Sequence, residues 1–135
     1  MRMVCTKASF RIMGKDLEPA EITEVLNICP DQAHRRGEPN VGTAGQRYAN
    51  YAEGLWALRS AVDETRPLAE HLEELVSKLW QHTEVLQELR KRGYRMDIFI
   101  GVFDLDDNTG FVLSNTLLMR LMRLGVDLDL DIYPS

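Results

Sequence analysis

Three aspartates near the C-terminus, Asp127, Asp129 and Asp131, alternate with Leu128, Leu130 and Ile132. On an extended strand alternate side chains share a face, so these carboxylates form a comb with teeth about 7 Å apart. Carboxylates in line along a flat strand diverge, whereas a hard cation needs several oxygens converging on one point. A metal site is therefore the weakest reading, and none is assigned. The simplest is a solvated face neutralised across the sheet by Lys7, Arg11 or Arg95, because opposite charges on neighbouring strands attract. A face that binds a basic partner ranks between the two.

A second acidic run, Asp104 to Gly110, has the composition of a calcium loop but the wrong order. Thr109 stands where the sharp turn needs glycine, and Asn115 where a bidentate glutamate is required. A turn between two strands accounts for its Asp, Asn and Gly without an ion.

The densest basic cluster is His34, Arg35 and Arg36 with Arg47, on a segment rich in glycine and flanked by Tyr48 and Tyr51. Forked guanidinium donors and approachable glycine backbone suit a small anion, and a pocket floored by Trp56 would complete such a site. No phosphate-cradle spacing is present, and salt bridges to Asp31 or Glu38 are the more ordinary expectation. For nucleophilic catalysis the thiols are poorly placed. Cys5 falls on a strand, and Cys29 falls at the C-terminal end of a helix, where the dipole disfavours a thiolate. His71 and His82 are expected on the solvated arc of a helix, and Trp56 and Trp80 in packing. No catalytic set and no cofactor site emerges.

The elements that hold these residues are legible from periodicity. Val4 to Ile12 alternates with a period of two and ends at Gly14, giving a strand. Pro19 in a first turn after acidic residues opens a helix with Ile22, Val25 and Leu26 inward, stopped by Pro30. Pro30 to Ala49 reads as a long loop, and Gln46 to Ser60 as one or two strands with Trp56 and Leu58 inward. Leu68, Leu72, Leu75, Val76, Leu79, Leu86 and Leu89 define a helix over 67–92. Unbroken it would be about 39 Å long at roughly 1.5 Å per residue, so a bend is expected near Gln81 to Thr83. Tyr94 to Phe103 is a strand placed at the centre of the sheet, followed by a short strand Phe111 to Leu113. Ser114 caps a helix through Leu124, and Val126 to Tyr133 forms the last strand. Alternating faces favour a sheet covered on one side. The expected fold is thus α+β, a largely antiparallel sheet with helices packed on one face, as one domain over residues 1–135.

Composition narrows the function classes. With 44% hydrophobic residues the chain has enough apolar material for an ordered core, unlike a disordered chain. A formal net charge of −5 repels phosphate backbones, so nucleic acid is not an expected partner. Two cysteines without metal spacing suit a reducing cytoplasm, and no apolar run is long enough for a membrane span.

The segments Phe10–Leu26, Arg35-Arg36-Gly37-Glu38, Glu53-Gly54-Leu55-Trp56 and the terminal Leu124–Tyr133 run together resemble the bacterial family catalogued as domain of unknown function forty-two seventy-nine. The Asp-Leu-Asp-Leu-Asp-Ile-Tyr run carries most of that likeness. The resemblance implies a stand-alone bacterial protein and brings no activity or site residues with it. The leading expectation is a non-enzymatic, immunity-like or regulatory module that presents its acidic sheet face or its Arg-bearing loop to another protein. The alternative is a small-molecule or anion-binding domain using Arg35, Arg36 and Arg47. An unpaired edge strand would also allow a dimer through the sheet.

Overall fold

A computed structural model describes residues 4–105 and 110–134. The elements in chain order are β1 (Cys5–Gly14), α1 (Pro19–Leu26), β2 (Gln32–His34), β3 (Asn40–Val41), β4 (Arg47–Tyr48), β5 (Gly54–Arg59), α2 (Leu68–Leu79), a 3-10 turn (Trp80–His82), α3 (Thr83–Lys91), β6 (Arg95–Leu105), α4 (Asn115–Leu124) and β7 (Asp127–Pro134). Five strands form one sheet in the order β2-β5-β1-β6-β7, and β3 pairs with β4 in a small separate sheet. All pairings are antiparallel except β6 with β7. A parallel neighbour requires a crossover rather than a hairpin, and α4 lies in that connection. The fold is α+β, as the alternation predicts.

The core is built on one face of the sheet. Phe10 and Ile12 of β1, Trp56 and Leu58 of β5, and Met96, Ile98, Ile100 and Val102 of β6 pack against the leucine stripes of α2, α3 and α4. Phe10 and Trp56 meet edge to face, with ring centroids 6.2 Å apart. The predicted bend in the long helix falls at the 3-10 turn, which separates α2 from α3. Ser114 Oγ accepts from Leu117 N–H at 3.1 Å, and Gly125 ends α4 in a left-handed conformation at φ 72°.

Several expectations are corrected. The centre of the sheet is β1, with β6 beside it, because β6 is followed by only one further strand on its side. The 30–49 segment is not one loop: it holds β2, β3 and β4, whose two or three residues are too few to show a period. Helix α1 ends at Leu26, where Asn27 turns left-handed at φ 54°, ahead of Pro30, and Val25 is exposed. Phe111 to Leu113 is not a strand. Of the Asp104–Gly110 turn, positions 104 and 105 belong to β6 and 106–109 lie outside the described residues.

Candidate functional site

The sheet face opposite the helices carries the charged side chains, and strand register arranges them in rows. Arg11 of β1 lies across from Asp97 of β6, which lies across from Asp127 of β7; in the next row Ser9, Phe99 and Asp129 align. Arg11 donates from Nε to Asp97 Oδ1 at 2.8 Å and from Nη2 to Asp97 Oδ2 at 2.6 Å. Its guanidinium also stands 4.7 Å above the Phe99 ring and 3.6 Å from Asp129 Oδ2. Arg95 is taken up by Glu53 at 2.6 Å, and Lys7 stands 3.8 Å from Glu64. Of the three cations expected to neutralise the comb, only Arg11 reaches it, and only at Asp129. Asp127 has no ion-pair partner among the described residues, and Asp131 accepts from its strand neighbour Tyr133 Oη. The comb points outward. Among the described residues no group of three His, Cys, Asp or Glu side chains could hold a metal ion.

The other side of β7 supplies what the letters did not reveal. Leu130 and Ile132 pair in register with Ile100 and Val102, on the helix-covered face, yet each keeps 45% of its surface exposed. The cause is position: β7 is the last strand of the sheet, and no strand covers its outer edge among the described residues. On α4, Leu117, Leu121 and Leu124 turn into the core, and Arg120 reaches back over Trp80. Leu118 and Met122, four residues apart, share the flank opposite Arg120 and are exposed. The eight-residue strand β7 thus presents a free backbone edge, acidic on one side and apolar on the other.

The Arg-bearing segment does not converge. Arg35 bonds Glu18 at 2.9 Å and Arg36 faces Asp16 at 3.3 Å, so the acids that hold them are not the expected Asp31 and Glu38. Arg47 sits on β4, outside the main sheet, exposed and without an ion pair among the described residues. Trp56 is fully enclosed in the core, where its Nε1–H donates to Thr23 Oγ1 at 3.1 Å, so it floors no surface pocket. His34 stacks on Tyr51 with centroids 3.4 Å apart, and burial pushes its pKa below the ordinary imidazole value.

His71 is a correction. Its surface is 1% exposed rather than solvated, and Nδ1 lies 2.8 Å from Ser60 Oγ. Glu74 stands one turn along α2, and its Oε2 accepts from Ser60 Oγ, Ala61 N–H and Val62 N–H. Its other oxygen has no well-angled hydrogen bond but lies 2.8 Å from Lys78 Nζ. Burial alone would raise the Glu74 pKa; Lys78 and the amide donors outweigh it and hold the carboxyl below its usual range. A histidine amid leucines at helical spacing is a signal the sequence carried, since His71 adjoins the Leu68–Leu72–Leu75 stripe.

No helix among the described residues is long and apolar enough to cross a membrane. Neither the curated proteins nor the solved structures hold a match to this chain. The profile of the family described as Domain of unknown function (DUF4279) matches residues 4–135, from the start of the described chain through the whole acidic β7 run. That span covers nearly all of the sequence, and the chain belongs to this family.

Proposed function

We propose that the chain is a non-enzymatic interaction module that captures an extended segment of another protein by strand addition at β7. The observation that supports it most is the outer edge of β7, where Leu130 and Ile132 remain half exposed although their register places them on the core side. A strand laid on this edge would take up the backbone groups left over by the β6 pairing, and alternate side chains would then face different chemistry. Those on one side meet Asp127, Asp129 and Asp131; those on the other meet Leu130 and Ile132. The matching partner is an extended segment in which basic and aliphatic residues alternate. A net charge of −5 steers such a partner in. The one Ser–His contact described, Ser60 with His71, has its histidine buried and its hydroxyl donated to Glu74 rather than to the imidazole, which favours capture over catalysis. A cytoplasmic, regulatory or immunity-like role fits a module of this kind.

The test is fluorescence anisotropy with a labelled peptide of alternating Lys and Val, against a Glu and Val control. Saturable binding of the basic peptide is expected, weakening with salt and falling at least tenfold in Asp129→Lys and in Ile132→Lys. Equal binding of both peptides, or binding untouched by either substitution, would reject the proposal.

A further inference from the structure

The first residues of β1, Cys5 to Ala8, extend past the end of β5, and a loop takes over there. Ser60 N–H donates to Ala8 O at 2.8 Å, and Thr6 N–H donates to Glu64 O at 2.7 Å, with Ala61 to Asp63 arching between these two ties. The arch and the outer sheet face enclose a concavity of about 630 Å³, within the range that small-molecule sites occupy. Its base is low because the sheet presents Ser9 and Gly101 there. A Cβ on Gly101 would come within 2.9 Å of the Phe103 ring, which leans across the missing side chain. Phe99 and Phe103 give it aromatic walls, Arg59 stands at its rim, and His71 contributes from beneath.

Two of these groups lack partners. The Arg59 guanidinium, like those of Arg47, Arg90, Arg120 and Arg123, has no ion pair among the described residues, whereas Arg11, Arg35, Arg36, Arg66, Arg92 and Arg95 each face a carboxylate within 4 Å. His71 is the second: its Nε2 is buried without a hydrogen bond, a destabilising state unless something fills it. Its proton arrangement follows from the network. Ser60 Oγ has one proton, and the ionised Glu74 carboxylate at 3.1 Å can only accept it. In the neutral ring the Nδ1 of His71 then carries the hydrogen toward Ser60, and Nε2 is the acceptor.

We infer that this concavity is a binding site for a small planar aromatic carboxylate that also bears a ring N–H or O–H. Its carboxylate pairs with Arg59, its ring lies between Phe99 and Phe103, and its ring donor reaches His71 Nε2. The site touches β7 through Phe103, whose ring stacks on Tyr133 with centroids 4.8 Å apart, but it does not depend on strand capture at the outer edge.

Indole-3-acetate supplies all three features, indole lacks the carboxylate, and acetate lacks the ring. Titrated into the ¹⁵N-labelled chain, indole-3-acetate is expected to shift the amides of Ser9, Arg59 and Gly101 saturably, and to shift the His71 Nε2 resonance. Indole and acetate are each expected to bind at least tenfold more weakly. Arg59→Gln should weaken indole-3-acetate about tenfold, and Ser9→Trp should fill the base and abolish binding. Both positions are on the outer face, and unchanged amide spectra elsewhere establish that the variants fold. Absence of saturable shifts, equal response to acetate alone, an unmoved His71 Nε2, or full binding by both variants would each overturn the inference.

Discussion

Arg11 and Asp97, 86 positions apart, meet through two parallel hydrogen bonds of 2.8 and 2.6 Å that tie the two middle strands of the sheet together on its uncovered face. Asp97 is nearly enclosed, and the Arg11 guanidinium is covered below by Phe99. An ion pair so shielded gains from bidentate geometry, and breaking it strands a charge away from water. Asp97→Ala is expected to lower unfolding free energy by about 1–3 kcal/mol. The double replacement Arg11→Met with Asp97→Leu should cost less than Asp97→Ala alone. Urea midpoints of the three proteins check this, and a double variant less stable than the single would contradict it.

Glu74 fastens the loop that follows β5 to α2, since one carboxylate oxygen accepts from the Ala61 and Val62 amides and from Ser60. Glu74→Ala leaves those donors to water or to nothing, and a loss of about 1–3 kcal/mol is expected. The folded carboxyl is held below its ordinary pKa, so its contribution is present above the unfolded value of about 4.3 and is lost as pH falls through the lower folded value. The stability gap between the natural chain and Glu74→Gln should therefore narrow steadily on acidification below that point. A gap constant from pH 7 down to pH 3 would show that the charge plays no part.

His34 behaves in the same sense at higher pH. Burial beside Tyr51 lowers its folded pKa, so the folded state binds its proton less readily than the unfolded chain. The stabilisation is complete above about pH 6.5 and declines as pH falls through the folded value. An NMR titration should place the His34 midpoint below that of solvent-facing histidine. A midpoint at or above 6.5 would contradict the stacked geometry.

How far the letters carried can be judged residue by residue. Alternation in β1, β6 and β7 identified the core face because Phe10, Ile98 and Ile100 must all lie on one side of a pleated strand. The leucine spacing locates α2 and α3, and excess length points to a bend near Gln81 to Thr83, where the 3-10 turn Trp80–His82 separates the two helices. What alternation cannot express is whether a strand is interior or at an edge. Leu130 and Ile132 read as core like Ile100 and Val102, and only the strand order shows that half their surface is left open. The pairing of Arg35 and Arg36 with Glu18 and Asp16 was hidden for a related reason: nothing in local spacing brings the start of α1 beside the segment that follows β2. Its polar residue type places His71 on the solvated arc of α2, yet it is buried with its Nδ1 2.8 Å from Ser60 Oγ, a contact made by the loop after β5 that no local spacing expresses.

The most direct test of strand capture is amide hydrogen exchange along β7 with and without the alternating Lys and Val peptide. Capture predicts that amides from Asp127 to Tyr133 slow on peptide addition, with the strands β2 and β5 at the far side of the sheet unchanged. Slowing confined to β2 and β5, or no change in β7 at a peptide concentration that saturates the anisotropy signal, would contradict it.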